Sequence, residues 1–141
     1  MLNADLPWLQ APLQDALARA RSHALLVQGP AGVGQLELAV KLAQSWLCED
    51  RTEGQPACGR CPSCRLFASG THPDFQMLLP EALDASARES LGLPFEEPDA
   101  PKAGKAKPSK EIKVEAVRNL LAFAQATSAR GKAKVAVIFP A

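Results

Sequence analysis

Gly29-Pro30-Ala31-Gly32-Val33-Gly34-Gln35-Leu36 keeps the glycine spacing of the phosphate-binding pattern G-x-x-x-x-G-K-[ST] and lacks both of its chemical side chains. Gly29 ends a short apolar run, Ala24-Leu25-Leu26-Val27-Gln28, that reads as a buried strand. After Gly34, residues Leu36, Ala39, Val40, Ala43 and Leu47 recur at helical spacing. Strand, glycine turn and helix, in that order, narrow the chain to an α/β architecture with the loop at a strand end. In the intact pattern the lysine meets the β- and γ-phosphates and the Ser/Thr hydroxyl ligates Mg²⁺. Gln35 is neutral and Leu36 has no atom to offer a metal. The candidate cofactor-binding residues Gly29, Gly32, Gly34 and Gln35 thus form the scaffold of an ATPase loop without its chemistry, and ATP binding there is doubtful. Residual nucleotide binding stays open, because backbone N–H groups can meet a phosphate whatever the side chains are. The competing reading of the loop alone is a Gly/Pro turn in an unrelated α/β fold.

A chain of 141 residues with 47% hydrophobic and 22% charged residues is long enough for one domain with a core. The formal net charge of +1 gives no global argument for nucleic acid or an anionic membrane. No apolar run approaches the roughly 20 residues of a membrane span, and Met1-Leu2-Asn3-Ala4-Asp5-Leu6 does not read as a signal peptide. The default expectation is a cytoplasmic protein with no membrane partner. Leu9, Leu13, Ala16, Leu17 and Ala20 predict an amphipathic helix over 9–20; Pro62 to Ser69 reads as a short helix; Phe75 to Leu79 reads as a second strand. Residues 81–110 contain Pro94, Pro98, Pro101 and Pro108, an acidic first part (Glu81, Asp84, Glu89, Glu96, Glu97, Asp99) and a basic end (Lys102, Lys105, Lys107, Lys110). That composition predicts a mobile surface insertion over much of the segment. Ile112 or Val114, with Val117, Leu120, Leu121 and Ala124, marks another amphipathic helix. Gly131 and Lys132 then turn the chain into a final strand, Val135-Ala136-Val137-Ile138-Phe139. Stopping at Ala141, just after a core strand, suggests a domain cut short.

All four cysteines fall within residues 48–64, spaced C-x9-C-x2-C-x2-C. Cys58, Cys61 and Cys64 can converge from a tight turn favoured by Gly59 and Pro62, and Cys48 can close the set from the end of the preceding helix. Four thiolates with no open position suit a structural, non-catalytic Zn²⁺ site. A pair of disulfides fits the even count but not a cytoplasmic protein. A redox dithiol fits one C-x-x-C step, whereas two overlapping steps plus a fourth cysteine favour metal. His72 is left out of the site, with a turn or packing role beside Pro73; His23, just ahead of the first strand, reads as structural. Arg60 and Arg65 flank the module, but no aromatic residues interleave there to stack bases.

The altered glycine loop, the four-cysteine insertion and Gly70-Thr71-His72-Pro73-Asp74 together resemble the delta-prime subunits of bacterial DNA polymerase III clamp loaders. So do Pro7-Trp8-Leu9, His23-Ala24-Leu25-Leu26 and Ile112-Lys113-Val114-Glu115-Ala116-Val117-Arg118. The resemblance covers nearly the whole chain except about 81–110, which looks longer than usual. It implies a P-loop NTPase-like (AAA+) parallel sheet flanked by helices, with residues 1–141 as its N-terminal part, 48–64 as the zinc module and 81–110 as the insertion. It also implies a non-catalytic stator with no intrinsic ATPase or polymerase activity. Its partners would be the delta and gamma/tau subunits and, through the assembled complex, the sliding clamp and primer-template DNA. The family's arginine finger and acidic motif are expected beyond residue 141. Two alternatives differ in class. An active gamma/tau-type ATPase should keep the full lysine-bearing pattern; a zinc-dependent nucleic-acid module would act through Arg60, Arg65 and the lysine run, with salt-sensitive binding.

Overall fold

Helix α2 (Gln35–Leu47) is apolar on two faces, and the fold is built around it. In the computed structural model, residues 6–19, 23–52, 54–94, 110–131 and 133–140 are described. On one side of α2, Leu38 and Leu42 pack with Leu9, Leu13 and Leu17, which come from a 3₁₀ turn (Pro7–Leu9) and helix α1 (Gln10–Arg19). On the other, Leu36, Val40, Ala43 and Leu47 meet Phe67, Leu91, Leu93 and Val137. Phe67 belongs to α3 (Pro62–Ala68), Leu91 ends α4 (Glu81–Leu91) and Val137 lies in β2 (Val135–Ile138). Fully burying one such side chain stabilises by about 1.5–3 kcal/mol, so α2 is held by its two stripes rather than by helix propensity.

β1 (Phe75–Leu78) and β2 are parallel, in register from Phe75 opposite Val135 to Leu78 opposite Ile138. A parallel pair needs a long crossover, and here it carries α4 and α5 (Val114–Gln125). Phe75, Met77, Val135 and Val137 alternate toward the α2 core, as strand geometry requires. The Phe75 ring sits 4.4 Å from that of Phe67. Helix α5 lies against β1. Its amphipathic spacing does produce a helix, but Val114 and Leu121 stay 65% and 57% exposed. Among the described residues no helix is long and apolar enough to cross a membrane.

Two expectations need correction. Residues 24–28 form no strand: the described sheet has two strands, β1 and β2, and Leu26 is 68% exposed. An apolar run becomes a parallel strand only where neighbours take up its backbone groups. The start of the 81–110 segment is not a loose insertion but helix α4, followed by Leu93 in the core. Leu83, Ala87 and Leu91 recur every four residues, so one face is apolar although the composition is charged. Residues 95–109, with Lys102, Lys105 and Lys107, lie outside the described residues.

Candidate functional site

The glycine loop joins residues 24–28 to the start of α2, and Gly34 caps that helix with a φ of +103°. A side chain at position 34 would strain the backbone, and its Cβ would come within 2.9 Å of Leu6 Cδ1 and 3.0 Å of Leu9 Cδ1. Glycine is thus required here by the packing of the N-terminal turn as well as by conformation. Gln35 folds back into the loop, where its Nε2 donates to the Pro30 carbonyl at 2.6 Å. A Cβ at Gly29 would meet that same Nε2 at 3.2 Å and Val33 Cγ2 at 3.3 Å. From outside, Trp8 Nε1 donates to the Val33 carbonyl at 2.8 Å. Leu36 packs in the core and forms an apolar part of the wall of the adjoining cleft. The adjoining cleft, about 490 Å³, is lined by Trp8, Gln35, Glu37, Leu83 and Phe139 among others; among the described residues its lining includes a carboxylate and no lysine or arginine. Glu37 occupies the first turn of α2, where it complements the helix dipole that a phosphate would otherwise use.

The second site is the cysteine cluster. The four Sγ atoms of Cys48, Cys58, Cys61 and Cys64 lie within 4.8 Å of one another and could hold a metal ion. Cys48 and Cys61 are 3.9 Å apart and Cys58 and Cys64 4.0 Å, far beyond a disulfide bond. The local chain explains the convergence. Cys48 caps the C-terminus of α2 and Cys61 the N-terminus of α3. Between them Gly59, at φ +75°, reverses the backbone so that amides face sulfur: Arg60 N and Cys61 N donate to Cys58 Sγ at 3.4 and 3.3 Å, and Cys64 N to Cys61 Sγ at 3.4 Å. Ser45 on α2 ties the loop down, its Oγ accepting from Ala57 N at 3.2 Å. Donation from the Arg60 and Cys61 amides lowers the Cys58 thiol. At Cys61 burial pulls upward, yet the amides of Cys64 and Glu49 outweigh it and bring the thiol down to about 6. Burial raises Cys48 and Cys64. Arg60 and Arg65 are exposed beside the cluster.

A third group, not assigned a functional role from the sequence, lies behind the thiols. His72, Ser63 and Asp74 are all buried. Ser63 Oγ donates to the Leu47 carbonyl at 2.7 Å, so it must accept from His72 Nε2 at 2.6 Å. His72 Nδ1 then accepts from the Asp74 amide at 3.0 Å. This fixes one neutral tautomer, and burial first of all lowers the His72 pKa in keeping with it. The Asp74 carboxylate accepts from Ser128 Oγ, Ala129 N and Arg130 N at 2.9, 2.8 and 3.0 Å. Serine, histidine and aspartate are not a catalytic triad here. The serine proton is spent on a carbonyl, and the carboxylate serves a distant turn. The expected packing role of His72 was legible from Pro73 beside it; the partners of Asp74, more than fifty residues away in sequence, had no local signal. His23 is exposed.

Residues 9–141 match the family described as DNA polymerase III, delta subunit. The chain is similar to DNA polymerase III subunit delta' of Pseudomonas aeruginosa, with 36% identity over 98% of this chain and 35% of that protein. It is 37% identical to the Escherichia coli K12 protein of the same name over 62% of this chain and 26% of that one. Against the Bacillus subtilis protein of that name, identity is 34% over 65% of this chain and 28% of the relative. The chain thus spans about a third of the first relative's length and about a quarter of the other two.

Proposed function

The chain belongs to the DNA polymerase III delta-prime subunit family, and from that premise we propose that it serves as part of a non-catalytic stator in a clamp loader. In this reading residues 1–141 are the N-terminal part of an AAA+ P-loop domain, with 48–64 as its metal module and 81–110 as an insertion that begins with α4. The stator assembles with delta and gamma/tau subunits and, through them, acts on a sliding clamp and primer-template DNA.

The observation that carries the reading is the Gln35 amide, 2.6 Å from the Pro30 carbonyl. The side chain that replaces the phosphate-binding lysine is bonded to the loop itself. Leu36 is committed to the core, and the cleft has a carboxylate where a polyphosphate needs cations. An active gamma/tau-type ATPase is disfavoured on the same grounds. The test is ATP turnover by the full-length protein alone and after mixing with delta and gamma/tau subunits. The expected result is none alone and a raised rate in the mixture; turnover by the protein alone would move it to the motor class.

For the cysteines we propose one structural Zn²⁺ held by Cys48, Cys58, Cys61 and Cys64. A tetrahedron with zinc–sulfur bonds of roughly 2.3 Å has edges of roughly 3.8 Å, and the Sγ pairs at 3.9 and 4.0 Å fit it. The ion supplies a cross-link between α2 and α3. Four protein ligands leave no open position for a bound water.

A further inference from the structure

The cysteine cluster and the start of the sheet are joined by two routes that meet at one residue. The first runs through the buried relay. Leu47, next to Cys48, accepts from Ser63, which lies between Cys61 and Cys64; Ser63 accepts from His72; His72 accepts from the Asp74 amide. The Asp74 carboxylate then holds the turn at 128–130. The second route is direct: Arg130 Nε donates to Glu49 Oε1 at 2.6 Å, on the other side of Cys48. Arg130 is thus bound by its amide to one route and by its guanidinium to the other. Backbone, hydrogen bonds and ion pair close a ring through Leu47, Cys48, Glu49, Arg130, Asp74, His72 and Ser63. Both strands begin on it, because Asp74 precedes β1 and its carbonyl accepts from Val135 N at 2.9 Å.

We propose that this ring couples metal occupancy of the four cysteines to the turn at 128–130, so that the registration of β1 against β2 answers to the metal. The proposal rests on the metal reading given above. Its physical basis is the shortness of the links. Ser63 is one residue from Cys64, and Leu47 and Glu49 each adjoin Cys48. Without an ion, the four thiols add only weak sulfur contacts to the Phe67 packing that joins α3 to α2, and the N-terminal end of α3 is held less firmly. When α3 drifts, Ser63 leaves the Leu47 carbonyl, His72 loses its acceptor, and the carboxylate that gathers three donors is no longer fixed. By linkage the converse holds: breaking the ring weakens metal binding by the same factor.

The test is amide hydrogen exchange in the full-length protein, zinc-loaded and after zinc removal by a chelator. Without zinc, the amides of Ala129, Arg130 and Val135 should exchange about tenfold faster, the response to losing roughly one net hydrogen bond. Leu38 N, bonded to Gly34 at the far end of α2, should not respond. In His72→Phe the same amides should exchange fast with or without zinc. Arg130→Gln opens the ring at a partly exposed position and should raise the zinc dissociation constant about tenfold. Arg19→Gln, which removes a like charge at an exposed position on α1, outside the module and off the ring, should leave it unchanged. Acceleration that includes Leu38 equally, steady exchange at 129–130 in protein that has lost its zinc, or equal effects of the two arginine variants would each overturn the coupling. Absence of zinc from the purified zinc-supplemented protein would remove the metal reading and the proposal together, and is recognised separately by metal analysis.

Discussion

Burial by itself would push the Asp74 carboxyl toward its neutral form. The Ala129 and Arg130 amides and the Ser128 hydroxyl reverse that and hold it below the ordinary aspartate value. A folded-state pKa lower than the unfolded one contributes stability that is complete above the unfolded value and lost as pH falls through the folded one. Asp74 should therefore cost the fold stability below about pH 4. His72, also lowered, acts in the same direction in a higher window, from about pH 6.5 downward. Asp74→Asn keeps the shape but replaces one carboxylate oxygen by an NH2 group that cannot accept, so at least one of the three donors loses its partner at a buried position. Denaturant unfolding should show a loss of about 1–3 kcal/mol at pH 7, and the further loss below about pH 4 should shrink while that of His72 persists. An unchanged acid limb would mean that the carboxylate is not the group being titrated.

Among the elements, those that carry a complete apolar face by themselves were readable. Helices α1, α2 and α5 follow from leucine and valine spacing, and the cysteine module from C-x2-C-x2-C with a glycine at its turn. What failed depends on neighbours or on pattern within a charged background. Residues 24–28 have strand composition, but a strand is a relation between chains of backbone, and the described sheet consists of β1 and β2. In α4 the count of acidic residues masked the face formed by Leu83, Ala87 and Leu91, of which Ala87 and Leu91 pack on the core. The cysteine module yields the element-scale prediction. Zinc should copurify at about one ion per chain, as four closed ligands require. Cys61→Ser removes the thiolate at the α3 cap, and should lower both zinc content and the thermal unfolding midpoint. Full zinc retention in that variant would show that Cys61 is not a ligand.

Hydrolysis of ATP belongs to the whole molecule and its neighbours rather than to one side chain. Gln35→Lys restores the missing charge, yet Leu36 remains in the core with no hydroxyl for Mg²⁺, and Glu37 keeps its carboxylate at the cleft. The variant is expected to show no turnover in a phosphate-release assay; measurable turnover would mean that the lysine alone was limiting. The glycine loop was legible in sequence as chemically altered. That its glutamine bonds the loop from within was not, because such a bond depends on a rotamer and a carbonyl direction. At the opposite end of α2 stands the thiol cluster. Thirteen helical residues separate the two ends, a strut of about 20 Å. The chain's two tryptophans are divided between them: Trp8 is bonded to the loop at Val33, and Trp46 lies two residues before Cys48, half-buried against the α1 side. Their emission is accordingly a built-in optical gauge with one lamp at each end of the strut. Solvent quenchers reach the exposed indole of Trp8 before the half-buried one of Trp46, so graded quenching reads the loop end of the strut ahead of the sulfur end.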